Sequence, residues 1–449
     1  MSERLINEMT ATEIRDYLVS GKSSSTDFYE RLLAFIDSGD EAIKAFVNRD
    51  DRIVNLHAQH LDDSRTLARE PGQLYGVPIA VKDIIDTADY PTEYGSKIYE
   101  GRYSAGDASV VRRLRDAGAV IVGKTATTEF ATFTPAQTRN PHNLDHTPGG
   151  SSSGSAAAVA AGFVPVALGS QTNGSVIRPA SFCGVYGFKP SRGLIPLTGA
   201  MEQSPSLDQL GLFGRNIEDI ALVTEVINGD DGLDPGTQGQ LPIRMLKTAL
   251  SEPPVQPKFC FFKTPWWDKV DPEAREAYEA LIDHLGTGLV SVLEVPEVLD
   301  KAIEWQKTVQ YTEMAFAFQR EFLNYPDQLS DRLKDQIKTG MNISVMDYLA
   351  AKDRIPHVAS AFDEYFEHFD AILCPAALGT APKGLGSTGD PIMQTIWTFA
   401  GLPALSLPML TLSNGLPLGV QAIGQYKDDA RLLRTARWLV HEFTSREEN

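Results

Sequence analysis

Residues 147–190 read TPGGSSSGSAAAVAAGFVPVALGSQTNGSVIRPASFCGVYGFKP and hold seven serines and eight glycines among small apolar residues. A flexible linker is polar and lacks strand-like segments, whereas AAAVAAGFVPVALGS is apolar and reads as buried. A core helix of small residues accounts for the alanines, but not for Ser151, Ser152 and Ser153 in a row. Amide hydrolysis needs a nucleophile, a base that is neutral at about pH 7, and backbone N–H groups aimed at the developing oxyanion. The segment GSQTNGS offers a tight turn ending in Ser175, and Gly174 lets the backbone come close to a substrate carbonyl. The histidines nearest in sequence, His142 and His146, sit in loop-like surroundings, so a lysine remains as the base. Lys82 lies inside the apolar run GVPIAVKDII. Burying an ammonium is costly unless it is paired or neutralised, and desolvation lowers a lysine pKa. A structural ion pair with Asp83 or Asp86 is the competing use of Lys82.

Two other templates match locally and fail in context. Residues 150–154 fit the GxSxG nucleophile elbow, which needs a strand directly before it. The preceding NPHNLDHTPGG carries two prolines and turn formers instead. Residues 169–174 have the GxxxxG spacing of a phosphate loop, with Ser175 where the lysine belongs.

The elements that must position these residues follow from periodicity. Thr10 with Glu13 forms a capping-box pattern, and residues 24–26 can cap a second helix. The β-branched run at 76–86 reads as a buried strand. Residues 108–125 read as helix, glycine, then strand, the mark of an α/β unit with a largely parallel sheet. The texture changes near residue 251, where SEPPVQPKF leads into a charged, aromatic-bearing stretch with a helical pattern at 311–323. A further strand is expected at 371–377 and a closing helix at 428–443.

With GVPIAVKD, GKTATTEFA, PGGSSSGSAAAVAAG, ALGSQTNGSVIRPASFCGVYGFKPSRG, GLPALSLP and GLPLGVQ in order, the chain resembles the amidase signature family. The blocks cover most of 70–220 and 395–425, with Ser151 and Ser175 separated by 24 positions. The resemblance implies one amidase domain over 1–449. It comprises a helical segment at 1–70, the signature core at 70–225, a variable substrate-shaping region at 228–390, and a return to the core at 391–449. The implied fold is α/β, an α/β/α sandwich around a large twisted mixed sheet. Ser175 becomes the nucleophile, Lys82 the base, and Ser151, after a cis peptide bond, the bridge between them. The oxyanion donors become the backbone N–H groups of Thr172, Asn173, Gly174 and Ser175. No metal or cofactor is implied. The chain departs from a common family form at Gln171 (aspartate there), Asn173 (glycine) and Ala126 (often asparagine). Arg178 falls three residues after the nucleophile rather than two. In some relatives that place serves a substrate carboxylate, and a structural ion pair is the other use.

Aromatic residues of the variable region and just beyond it, Trp305, Tyr311 and Trp397, join Arg178 as candidate substrate contacts. They suit a bulky or aryl amide, anilide or carbamate, with ester cleavage as a side activity. The net charge of −18 repels phosphate backbones and anionic lipid heads. The expected partner is therefore a small-molecule amide or carbamate, without nucleic acid or membrane, and with a homodimer allowed. Three sparse cysteines and a charged N-terminus without an apolar signal region fit a cytoplasmic protein. Two other readings compete. One is the glutamine-hydrolysing component of a tRNA-dependent amidotransferase, against which the charge and the signature departures weigh. The other is a catalytically silent binding or scaffold relative, against which Lys82, Ser151 and Ser175 together weigh.

Overall fold

Alternate residues of the buried strands enter different cores, which is why their sequences read as unbroken apolar runs. Ile79 and Val81 join one hydrophobic cluster while Ala80 joins another. Phe259 and Phe261 enter the first, whereas Cys260 and Phe262 enter a third. Both faces of the sheet are thus covered. Fully burying one such large apolar side chain stabilises the fold by about 1.5–3 kcal/mol.

The computed structural model describes residues 6–67, 70–295 and 300–447. The readings of the charged N-terminus, of the helical segment at 1–70 and of the variable region fall partly outside these residues, at 1–5, 68–69 and 296–299. Among the described residues eleven strands form one mixed sheet. They are β1 Phe46–Asn48, β2 Pro78–Lys82, β3 Val120–Thr125, β4 Val166–Gln171, β5 Tyr186–Lys189, β6 Gln209–Gly214, β7 Phe259–Lys263, β8 Val290–Glu294, β9 Ala371–Pro375, β10 Ala404–Thr411 and β11 Pro417–Ile423. Their order is β1-β3-β2-β4-β6-β5-β10-β11-β9-β7-β8. β2 runs parallel to β3 and β4, and β7 parallel to β8 and β9; the other pairs are antiparallel. Helices pack around this sheet, as the α/β expectation required, but six of the ten strand pairings among the described residues are antiparallel, so the expected largely parallel sheet is corrected to a mixed one.

The local signals hold with small shifts. Thr10 and Glu13 close the capping box of helix Ala11–Val19, and Ser24 caps helix Ser25–Ile43. The predicted helix at 311–323 is broken at Phe318 into helices Ala302–Ala317 and Gln319–Asn324. The closing helix is Asp429–Glu447. The three cysteines are free and buried, and burial pushes the Cys260 and Cys374 thiols up to about 12. Among the described residues no helix is long and apolar enough to cross a membrane.

Candidate active site

Lys82 ends β2 with no exposed surface. Val81 is in register with Leu168, so the lysine stands beside the end of β4. Its Nζ donates to Ser151 Oγ at 2.7 Å and to Ser170 Oγ at 2.8 Å. Among the described residues no carboxylate lies within ion-pair distance of it. The alternative of a pair with Asp83 or Asp86 is therefore not the one adopted: Asp83 lies 3.5 Å from Lys124, and Asp86 bonds Arg102 at 2.8 Å. Burial pushes the Lys82 amine well below the ordinary lysine value, with the charge of Asp208 pulling the other way. Desolvation disfavours the ammonium and so favours the neutral amine, the form that can accept a proton.

The serine-rich segment sorts into one side chain on the lysine and several that tie backbone. The peptide bond between Gly150 and Ser151 is cis. Ser152 Oγ donates to Ser170 O at 3.2 Å and accepts from Ser170 N at 3.3 Å. Ser153 Oγ donates to Gly149 O, and Ser155 Oγ to Leu168 O. Helix Ser153–Ala160 needs small residues, because a Cβ on Gly154 would stand 2.1 Å from Ala45 O. No strand leads into this segment, so the nucleophile-elbow match has no structural counterpart.

Between β4 and helix Ile177–Cys183 lies the turn that carries Ser175. Gln171 Oε1 accepts the N–H groups of Val176 and Ile177 at 2.8 and 3.0 Å. A carboxamide oxygen thus does here what a carboxylate at that position can do. Gln171 Nε2 donates to Thr398 Oγ1 at 2.9 Å, and that hydroxyl donates to Asn173 O at 2.5 Å. Thr395 Oγ1 donates to Asn173 Oδ1 at 2.8 Å. Helix Ile392–Ala400 therefore braces the turn from outside. The backbone N–H groups of Asn173, Gly174 and Ser175 have no acceptor among the described residues. The Ser175 hydroxyl likewise has no hydrogen-bond partner among them, and it lines a small cavity with Thr172, Asn173, Gly174 and Arg178. Unpaired donors around a half-buried hydroxyl form a concavity suited to an oxyanion.

Arg178 is buried beneath this turn. Its Nε donates to Thr388 O and its Nη2 to Gly150 O, each at 2.7 Å. Nη1 is buried without a partner, and a Cβ on Gly174 would stand 2.8 Å from it. The guanidinium therefore holds the carbonyl that precedes Ser151 and leaves Nη1 unpaired beside Gly174. Burial lowers its pKa to about 10, so it remains charged at neutral pH.

A cleft of about 630 Å³ opens onto the turn, walled by Phe133, Gln306, Gln310, Tyr311, Arg332 and Asp390 among others. Tyr311 is in that wall. Trp305 and Trp397 are not: Trp305 packs near Phe399, and Trp397 is 1% exposed and stacked on Phe262. Trp397 is corrected to a core residue, since a side chain closed off on every side cannot meet substrate. Sequence reasoning passed over Ser170, the second hydroxyl on Lys82. The available signal was its place in the same ALGSQTNGS block.

A family model described as Amidase matches residues 27–433. The chain belongs to the Amidase family. It is an amidase-signature hydrolase of carbon–nitrogen bonds, with the mixed-sheet fold of that family. Its relatives include a glutamyl-tRNA(Gln) amidotransferase subunit from Lysinibacillus sphaericus (strain C3-41), 32% identical over 96% of this chain and 95% of that one. The subunit of the same name from Picosynechococcus sp. (strain ATCC 27264 / PCC 7002 / PR-6) is 31% identical over 94% and 96%. Among solved structures, a protein complex bearing on the evolutionary origins of an s-triazine catabolic enzyme superposes with a TM-score of 0.89, at 28% identity over 97% and 98%. A peptide amidase in complex with the competitive inhibitor chymostatin gives 0.86, at 26% identity over 98% of each chain. These relatives correct the expected partners. A small-molecule substrate alone, with no nucleic acid and at most a second copy, does not fit relatives named as subunits of a tRNA-directed enzyme. The −18 charge misled because net charge sums the whole surface and does not decide what an assembly contacts. The carbamate and aryl-amide preferences gain no support from these names.

Proposed function

We propose that this chain hydrolyses a primary carboxamide by acyl transfer on Ser175 and releases ammonia, working as the amide-hydrolysing subunit of a larger assembly, with glutamine as its substrate. The observation that carries the chemistry is a fully buried Lys82 bonded to the hydroxyl of Ser151 and, among the described residues, to no carboxylate, under a turn whose N–H groups have no acceptor among them. The relatives named as amidotransferase subunits, similar over nearly the whole chain, support glutamine and the assembly.

Ser175 Oγ attacks the carboxamide carbon as its hydroxyl turns toward Ser151. Its proton passes to Ser151 Oγ while the Ser151 proton passes to Lys82 Nζ. The N–H groups of Thr172, Asn173, Gly174 and Ser175 hold the oxyanion. Collapse breaks the C–N bond, and the proton returns from Lys82 through Ser151 to the leaving nitrogen, which departs as ammonia. Water then attacks the acyl-Ser175 ester by the same relay and frees the carboxylate and the serine. General-base relays of this kind contribute about 10²–10⁴-fold.

The test is ammonia release from glutamine by the purified chain, alone and with co-purifying proteins, using Ser175→Ala as the blank. Ammonia production that depends on Ser175 and rises in the assembly is the expected result. Hydrolysis of neutral aryl anilides with glutamine left intact would overturn the glutamine reading.

A further inference from the structure

We propose that Asp208 is a positioning residue for hydrolysis at Ser175: its carboxylate fixes Thr172 at the head of the oxyanion turn and stands across a small void from Ser170, a hydroxyl partner of Lys82. This rests on the acyl-transfer reading above. Asp208 stands immediately before β6 and is 8% exposed. Its Oδ1 accepts the Thr172 hydroxyl at 2.5 Å, and its Oδ2 accepts the N–H groups of Gln203 and Ser204 at 2.7 and 2.8 Å. One carboxylate thereby clamps the loop at 203–208 onto the turn. The same loop is braced from helix Ala302–Ala317 by Glu313, which accepts from Ser204 Oγ and Ser206 Oγ, each at 2.5 Å.

A small cavity beside this clamp is lined by Ser170, Thr172, Gln203 and Asp208. Ser170 is one of the two hydroxyls on Lys82, so the carboxylate and the lysine's partner face one void. Among the described residues no arginine or lysine lies within ion-pair distance of Asp208, and its charged neighbour Glu202 is like-signed. A buried carboxylate without a cation is a poor device for stability. Burial pushes the Asp208 carboxyl up to about 7, so above that pH its charge is present and can stabilise the ammonium that forms when Lys82 takes the proton. The charge of Asp208 favours the protonated form of Lys82, whose bonded neighbours, Ser151 and Ser170, are both uncharged.

The experiment follows labelling of Ser175 by a fluorophosphonate across pH, which needs no natural substrate. Ser175 Oγ forms the O–P bond, fluoride leaves, and the serine proton passes into the relay. Asp208→Asn keeps the shape and removes the charge. Labelling should slow about tenfold or more, the equivalent of one unit in the Lys82 pKa. The acid limb of the pH profile should move to lower pH, because loss of the anion makes Lys82 easier to deprotonate. Thr172→Val should slow labelling without moving the limb, which separates the clamp from the charge. If Asp208→Asn does not fold, Asp208→Ser carries the same expectations. An unmoved limb, or a rate within about twofold of wild type, overturns the proposal. If wild type is not labelled at Ser175, the acyl-transfer reading falls with it. If wild type is labelled and the variants react alike, this proposal falls alone.

Discussion

Lys82 and Lys189 stand at the ends of β2 and β5, both without exposed surface, and burial lowers the pKa of each. Their partners differ in kind. Lys189 Nζ donates to Gln209 Oε1 at 2.6 Å, to Pro190 O at 3.1 Å and to Leu402 O. All three are oxygens with no proton to give, so they can only hold the lysine as a donor and lock neighbouring strands and loops together. Lys82 touches two hydroxyls, each of which can both give and accept a proton. Burial alone therefore does not distinguish a working lysine from a structural one; what its partners can exchange does.

The sharpest break between the two regions is at the nucleophile. Ser175→Ala should cost about 10⁴-fold or more in kcat, measured as ammonia release with a thermal melt unchanged. Lys82→Met should cost about 10²–10⁴-fold and also leave the fold intact, since an apolar side chain of similar length replaces a desolvated amine. Activity retained above about a tenth of wild type would remove Lys82 from the relay. The wild-type kcat/KM should fall as pH is lowered through the depressed Lys82 value, because protonation takes away the base; a profile flat far into acid would count against it.

Lys189→Met should show the opposite pattern. The Gln209, Leu402 and Pro190 oxygens lose their donor, a loss of about 1–3 kcal/mol in stability, while kcat of the folded fraction stays within a few-fold of wild type. Its pH signature follows from linkage. Burial holds the folded-state value at about 7, below the unfolded value of about 10.4. Below the folded value both states hold the proton and this group adds no slope. Between the two, only the unfolded chain holds it, so raising pH weakens the proton binding that favours the unfolded state, and stability rises with pH. Wild type should accordingly gain stability relative to Lys189→Met from about pH 7 to pH 10, by melts in parallel buffers. Tyr311→Ala, in the cleft wall, should have the smallest effect, a few-fold in KM with kcat nearly unchanged, as expected for uniform binding.

Much of the candidate site could be proposed from the sequence because its parts lie in short ordered blocks. The apolar context of Lys82, the glycine-bearing turn before Ser175 and the helix–strand unit at 108–125 are local patterns, and local patterns survive folding. The break at Phe318 was not legible, because helical periodicity continues through it. Trp397 was misread because an aromatic residue near a variable region looks the same whether it lines a cleft or fills a core. The partner expectation failed for a related reason, since composition averages over surfaces that act separately.

By itself the sequence determined the α/β class, the buried strand that carries Lys82, and the order of blocks placing Ser151 and Ser175 in one family pattern. Tertiary structure alone decided that Lys82 meets Ser170 as well as Ser151, that Arg178 reaches back to Gly150, and that Asp208 holds Thr172. These contacts join residues 69, 88, 28 and 36 positions apart. Such separations are closed by strand order and sheet register, and neither is written in the periodicity of any single segment.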